Sequence, residues 1–89
     1  MTPTQFAQMV DAACLYFLGS LTSGRRTARH NARVGGVPNS PHVAGFGADV
    51  VYDVVPPLTD VMQFVEPLGL VVIREKDHDH FQPADWTPS

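Results

Sequence analysis

With 89 residues, the chain has room for one small domain spanning 1–89, because a second hydrophobic core needs a longer polypeptide. Hydrophobic residues at 44% against 17% charged, with a mean hydropathy of -0.04, exclude a disordered polar tail. A net charge of -3 and a pI near 5.6 exclude a dedicated nucleic-acid binder, whose affinity would rest on many phosphate-neutralising Lys and Arg, although Arg25, Arg26, Arg29 and Arg33 lie close together.

Thr2-Pro3-Thr4-Gln5 opens a helix, with Thr2 as N-cap, Pro3 at the first helical position and Gln5 completing a capping box. Phe6, Met9, Val10, Ala13, Tyr16 and Phe17 follow at helical spacing, and Gln5, Gln8 and Asp11 break the apolar run that a signal peptide would need. Gly19 is the expected C-terminal stop, and Cys14 is expected as a buried, inert thiol within the helix. From Ser20 to Gly47 apolar periodicity fades into glycine, serine, arginine and asparagine, and irregular segments of this length in small domains usually carry function. A strand is expected over Ala48–Val55, with Val50, Tyr52 and Val54 on its apolar face, until Pro56 and Pro57 end it. Leu58, Val61, Phe64 and Val65 mark a short helix closed by Pro67. Leu70–Ile73 is a second strand, Arg74–Asp79 a polar turn and His80–Gln82 a third strand, after which Trp86 and the Pro-rich tail cover an edge of the core. The fold class is α+β: an N-terminal helix and a short second helix on a small antiparallel sheet. No segment is long enough to insert in a membrane.

A chain of this size with one cysteine cannot form an internal disulfide, so a bound metal is a natural staple. Four histidines and seven aspartates supply donors. Zinc takes imidazole nitrogen and carboxylate oxygen, and its catalytic sites use three protein ligands. His42, Asp49 and His80 would make such a set. Residue chemistry alone leaves alternatives open. His78 and His80 share one face of a regular strand. Asp77 and Asp79 both flank a histidine, and Asp53, on the strand face of Asp49, is either a fourth oxygen ligand or an exposed strand acid.

Three blocks carry a resemblance: Ser23-Gly24-Arg25-Arg26-Thr27, Ser40-Pro41-His42-Val43-Ala44-Gly45-Phe46-Gly47-Ala48-Asp49, and Asp77-His78-Asp79-His80. In this order they resemble the motifs of the zinc-dependent peptidoglycan peptidases of the D-alanyl-D-alanine carboxypeptidase and L-alanyl-D-glutamate endopeptidase group, which share the fold of the Hedgehog signalling domain. The resemblance runs from about Leu21 to Gln82. It implies zinc held by His42, Asp49 and His80. It makes Asp77 rather than Asp79 the catalytic acid/base, which takes a proton from the attacking water and delivers one to the leaving amine. Arg26 becomes the clamp on the scissile carbonyl or a substrate carboxylate. Ser40, His30 and Asn31 are implied to support substrate binding. The group's alanine two residues before the ligand aspartate is Gly47 here.

Only 27 residues, Val50 to Lys76, separate Asp49 from Asp77, so a shallow groove is expected, better suited to polymeric wall than to a free dipeptide. The implied partner is a peptidoglycan peptide. The chain reads as a minimal phage-encoded member, made without a signal peptide and acting on the wall after lysis or from within a virion. The alternative is a phage particle component, in contact with other structural proteins, that keeps the fold for structure or wall binding with little catalysis. Metal is expected at the sheet's edge, beneath the long loop.

Overall fold

The computed structural model describes residues 1–23 and 45–86. Helix α1, Pro3–Phe17, begins as its sequence dictates. The Gln5 N–H donates to Thr2 Oγ1 at 3.1 Å and the Thr2 N–H donates to Gln5 Oε1 at 2.8 Å, so two donors that the first turn cannot satisfy find partners. Its buried stripe is Phe6, Val10 and Ala13, whereas Tyr16 stays largely exposed and stacks on Phe64. The left-handed cap is Leu18, at φ 55°, and not Gly19. Gly19 begins strand β1, Gly19–Ser23, opposite Tyr52, where a Cβ would meet Val50 Cγ1 at 2.7 Å. Glycine is needed there for close approach, and the turn falls one residue earlier.

Strand β1 is a correction to the expected irregular segment, whose remainder, 24–44, lies outside the described residues. Strand β2, Ala48–Tyr52, stops three residues short of the expected end. Val54 and Asp53 therefore lie beyond the ladder, and both are exposed. Asp53 as a strand-face ligand beside Asp49 is thus excluded by the strand's length.

Helix α2, Leu58–Val65, buries Val61 and Val65 and passes into a 3-10 turn, Glu66–Leu68, ended by Gly69 at φ 79°. Strands β3, Leu70–Arg74, and β4, Asp79–Pro83, form a hairpin with Val72 opposite Phe81 and Ile73 opposite His80. The expected third strand thus starts one residue earlier and ends one later, and Arg74 belongs to the strand rather than the turn.

All pairings are antiparallel and the order is β1-β2-β4-β3. Both helices cover one face of the sheet. Ala48, Val50, Leu70 and Phe81 project into it and meet Phe6, Val10, Ala13, Val61 and Val65. Side chains alternate across a strand, so the intervening residues Asp49, Val51, Val71, Ile73, His80 and Gln82 stand on the opposite, outer face. After β4 the Ala84 N–H donates to the Gly69 carbonyl at 2.9 Å and the Trp86 N–H to that of Pro83 at 3.1 Å. Trp86 is half-buried, and residues 87–89 of the tail lie outside the described residues. No helix among the described residues is long and apolar enough to cross a membrane.

Candidate metal centre

Strand pairing builds the site. Asp49 is the second residue of β2 and His80 the second of β4, and the antiparallel register sets them directly opposite each other. Both belong to the outer face by alternation, and at that register His80 Nδ1 stands 3.0 Å from Asp49 Oδ1. Both side chains are partly shielded, with relative exposures of 13% for His80 and 19% for Asp49. Because β2 and β4 are the two central strands, this pair lies in the middle of the sheet and not at its edge as expected. The β3–β4 hairpin adds β3 outside β4 and thereby moves the pair inward.

The other ring nitrogen of His80 is also occupied: Nε2 lies 2.9 Å from Gln82 Oε1, two residues along the same strand face. Both ring nitrogens therefore face oxygen acceptors, and which of them donates depends on the tautomer. A third group arrives from the turn. His78 places Nε2 3.7 Å from the same Asp49 Oδ1, while its Nδ1–H donates to Asp77 Oδ1 at 2.7 Å. His78 precedes β4, so it reaches Asp49 from the turn and not by sharing a strand face with His80. Partial burial opposes a charge on His78, but the Asp77 hydrogen bond and the Asp49 carboxylate outweigh it and raise its pKa above the ordinary value.

Asp77 itself is 84% exposed. The hydrogen bond from His78 holds its carboxyl below the usual range, so it is ionised, the form that accepts a proton. Asp79 is its opposite, at 1% exposed. Arg74 grips it in a two-pronged fork, Nε–H to Oδ1 at 2.8 Å and Nη2–H to Oδ2 at 2.9 Å, and the Tyr52 hydroxyl donates to Oδ2 at 2.8 Å. Arg74 also donates from Nη1 to the Pro56 carbonyl at 2.9 Å, which ties the end of β3 to the segment after β2. Burial, then the bond to Asp79, push the Tyr52 phenol well above its ordinary pKa. A carboxylate held in this way is buried on the inner face of β4, whereas Asp77 stands exposed on the turn before that strand. Asp77 borders a cavity of about 130 Å³ that Val51, Val55, Lys76, His78 and Asp79 also line.

Asp49 and His80 supply two donors of the kinds that zinc takes. Tetrahedral bonds of about 2.0–2.1 Å place neighbouring donor atoms roughly 3.2–3.5 Å apart, and a carboxylate oxygen and an imidazole nitrogen already lie 3.0 Å apart in a partly buried pair. A ligating histidine characteristically passes its second N–H to an oxygen, and Gln82 Oε1 stands 2.9 Å from His80 Nε2, within reach for that part. Among the described residues no three donors converge as a complete set. The third expected ligand, His42, lies outside them, as do Arg26, His30, Asn31 and Ser40.

Sequence reasoning missed two partners. Gln82 carries a legible signal, the two-residue spacing from His80 within a strand. The Arg74 and Tyr52 clasp on Asp79 has none, since it depends on three strands coming into register.

An outer-face Asp–His pair on a four-stranded antiparallel sheet, beside an exposed ionised aspartate, is a donor arrangement suited to metal-assisted hydrolysis. Residues 18–82, almost three quarters of the sequence, match the Peptidase M15 family, and the chain belongs to that family of peptidases. Its members are generally zinc-dependent. No curated protein and no solved structure gives a significant match.

Proposed function

We propose that this protein is a zinc-dependent peptidase that hydrolyses peptide bonds in the stem peptides of bacterial peptidoglycan, as an endopeptidase or a D,D-carboxypeptidase. The observation that carries the reading is the Asp49–His80 register pair, a carboxylate and an imidazole whose donor atoms stand 3.0 Å apart on the solvent face, within a stretch that matches the peptidase family. In this reading Asp49 and His80, joined by His42, hold the metal. Zinc at such a site supplies a water acidified to a pKa of roughly 7 and a Lewis acid for the scissile carbonyl.

The chain's own groups then do the rest. Asp77, ionised and exposed on the turn before β4, takes the proton of the attacking water and returns it to the leaving amine nitrogen. His78 links Asp77 to Asp49 and aligns the Asp77 carboxylate. Arg26 clamps the carbonyl or a substrate carboxylate, and Ser40, His30 and Asn31 support substrate binding. The open outer face suits an extended, polymeric substrate.

Mass spectrometry of muropeptides after incubating the protein with purified sacculi tests this reading. New termini within stem peptides, absent after chelation, are expected, and their position names the bond. Sacculi that bind the protein but yield no new termini would make it a wall binder and overturn the enzyme assignment.

A further inference from the structure

Resting on the reading in which His80 holds zinc, we infer that Gln82 is the positioning residue of the centre: its side-chain carbonyl accepts the His80 Nε2–H and so presents Nδ1 to the metal. Three observations combine. Gln82 Oε1 is 2.9 Å from Nε2, and Asp49 Oδ1 is 3.0 Å from Nδ1 on the far side of the ring, so the imidazole is spanned from both nitrogens. Strand alternation puts His80 and Gln82 on one face two residues apart, a separation that the long glutamine side chain closes along the strand. The flanking positions of β3 are Ile73 opposite His80 and Val71 opposite Gln82, so that strand faces the ring with hydrocarbon and offers Nε2 no polar side chain at either position.

An imidazole turns freely about χ2 and has two tautomers, of which only one leaves Nδ1 bare. Once a metal takes Nδ1 the remaining ring proton sits on Nε2, and an acceptor fixed there holds both that tautomer and the ring's orientation, which is the part outer partners of ligating histidines play in metal affinity. The same restraint spares binding the cost of ordering the ring.

The test compares zinc affinity, by competition with a chromophoric chelator at constant pH, between the wild type, Gln82→Met and Gln82→Glu, with long-range 1H–15N spectra of the zinc-loaded wild type. Q82M, similar in shape but without an acceptor, is expected to bind zinc about 10–100-fold more weakly. Q82E keeps the acceptor and is expected to recover wild-type affinity or exceed it. The spectra are expected to show the His80 proton on Nε2 and the metal-shifted signal on Nδ1. Equal affinity in Q82M and wild type, or a proton on Nδ1 with metal on Nε2, would overturn the inference. The wild-type spectra decide it even if Q82M fails to fold. A wild type that takes up no zinc overturns the functional reading itself, whereas zinc uptake indifferent to residue 82 overturns this inference alone.

Discussion

On the inner face of β4, Asp79 is 1% exposed and both its oxygens are taken, by the Arg74 fork and the Tyr52 hydroxyl. One residue along, on the outer face, His80 meets Asp49 across the ladder with both partners open to solvent at one side. Both pair an aspartate with a nitrogen-bearing side chain, at adjacent positions of one strand, yet they serve different ends. A buried carboxylate gripped by guanidinium and phenol is committed to three hydrogen bonds and braces the fold. A half-shielded carboxylate facing an imidazole keeps donor capacity and access. Burial and saturation, not residue type, separate the strut from the site.

The sharpest way to break this comparison is to truncate neighbours of opposite facing. Phe81→Ala removes a fully buried ring from the centre of the core and should cost about 3–5 kcal/mol, enough to leave a domain of this size largely unfolded near 37 °C. His80→Ala should instead leave the metal-free melting temperature within a few degrees of wild type, while zinc affinity falls by more than the roughly 10–100-fold that an outer partner is worth. Thermal melts with and without chelator, alongside zinc titration, read both. A His80→Ala protein as unstable as Phe81→Ala would show that the two faces are one structural unit.

Asp77→Asn comes next. It removes the proton acceptor but no ligand, so hydrolysis of sacculi should fall by about 10²–10⁴-fold with zinc content unchanged. Retained activity would end the acid/base assignment, and lost zinc would make Asp77 part of the metal shell.

Asp79→Ala sharpens the comparison from the inner side. It leaves Arg74 and Tyr52 without their shared acceptor. Because Arg74 keeps 27% side-chain exposure and can return to water, the expected loss is about 3 kcal/mol, below the upper end for a broken buried pair. That is a fall of more than about 10 °C in melting temperature for a domain of this length. Zinc affinity measured below that transition should match wild type. A fall in affinity at full stability would couple the clasp to the metal.

Much of this division was legible in the chain. The capping box of Thr2 and Gln5 fixed the start of α1, and the spacing of Val61 and Val65 gave α2 its buried side. The motif blocks brought Asp49 and His80 together before any geometry was known. Strand β1 left no trace because Gly19-Ser20-Leu21-Thr22-Ser23 has a single large apolar residue, Leu21, itself 51% exposed; an edge strand defined by ladder bonds to β2 has no periodicity to read. Asp77 and Asp79 could not be told apart by composition, since what distinguishes them is where β4 begins: Asp79 is its first residue and points inward, and Asp77 lies on the turn before it. The central position of the Asp49–His80 pair was equally hidden, because it follows from where the hairpin docks and no local pattern encodes that.

The smallest expected effect is a dependence on alkaline pH confined to the inner face. Burial, then the Asp79 hydrogen bond, raise the Tyr52 phenol, and burial, then the Asp11 charge, raise the Cys14 thiol. In both, the folded state holds the proton more tightly than the unfolded chain. The stability each contributes is therefore complete below its unfolded pKa, about 8.5 for the thiol and about 10 for the phenol, and drains away as pH rises above it. Chemical denaturation of the metal-free protein should thus give a midpoint with a shallow decline above about pH 8 from Cys14 and a steeper one above about pH 10 from Tyr52, beyond the range in which His78 titrates. Tyr52→Phe keeps the ring, loses one hydrogen bond worth about 0.5–1.5 kcal/mol, and should abolish the steeper limb. A mutant that still declines as steeply above pH 10 would show that alkaline loss arises elsewhere and that the Asp79 clasp does not hold the phenol in its neutral form.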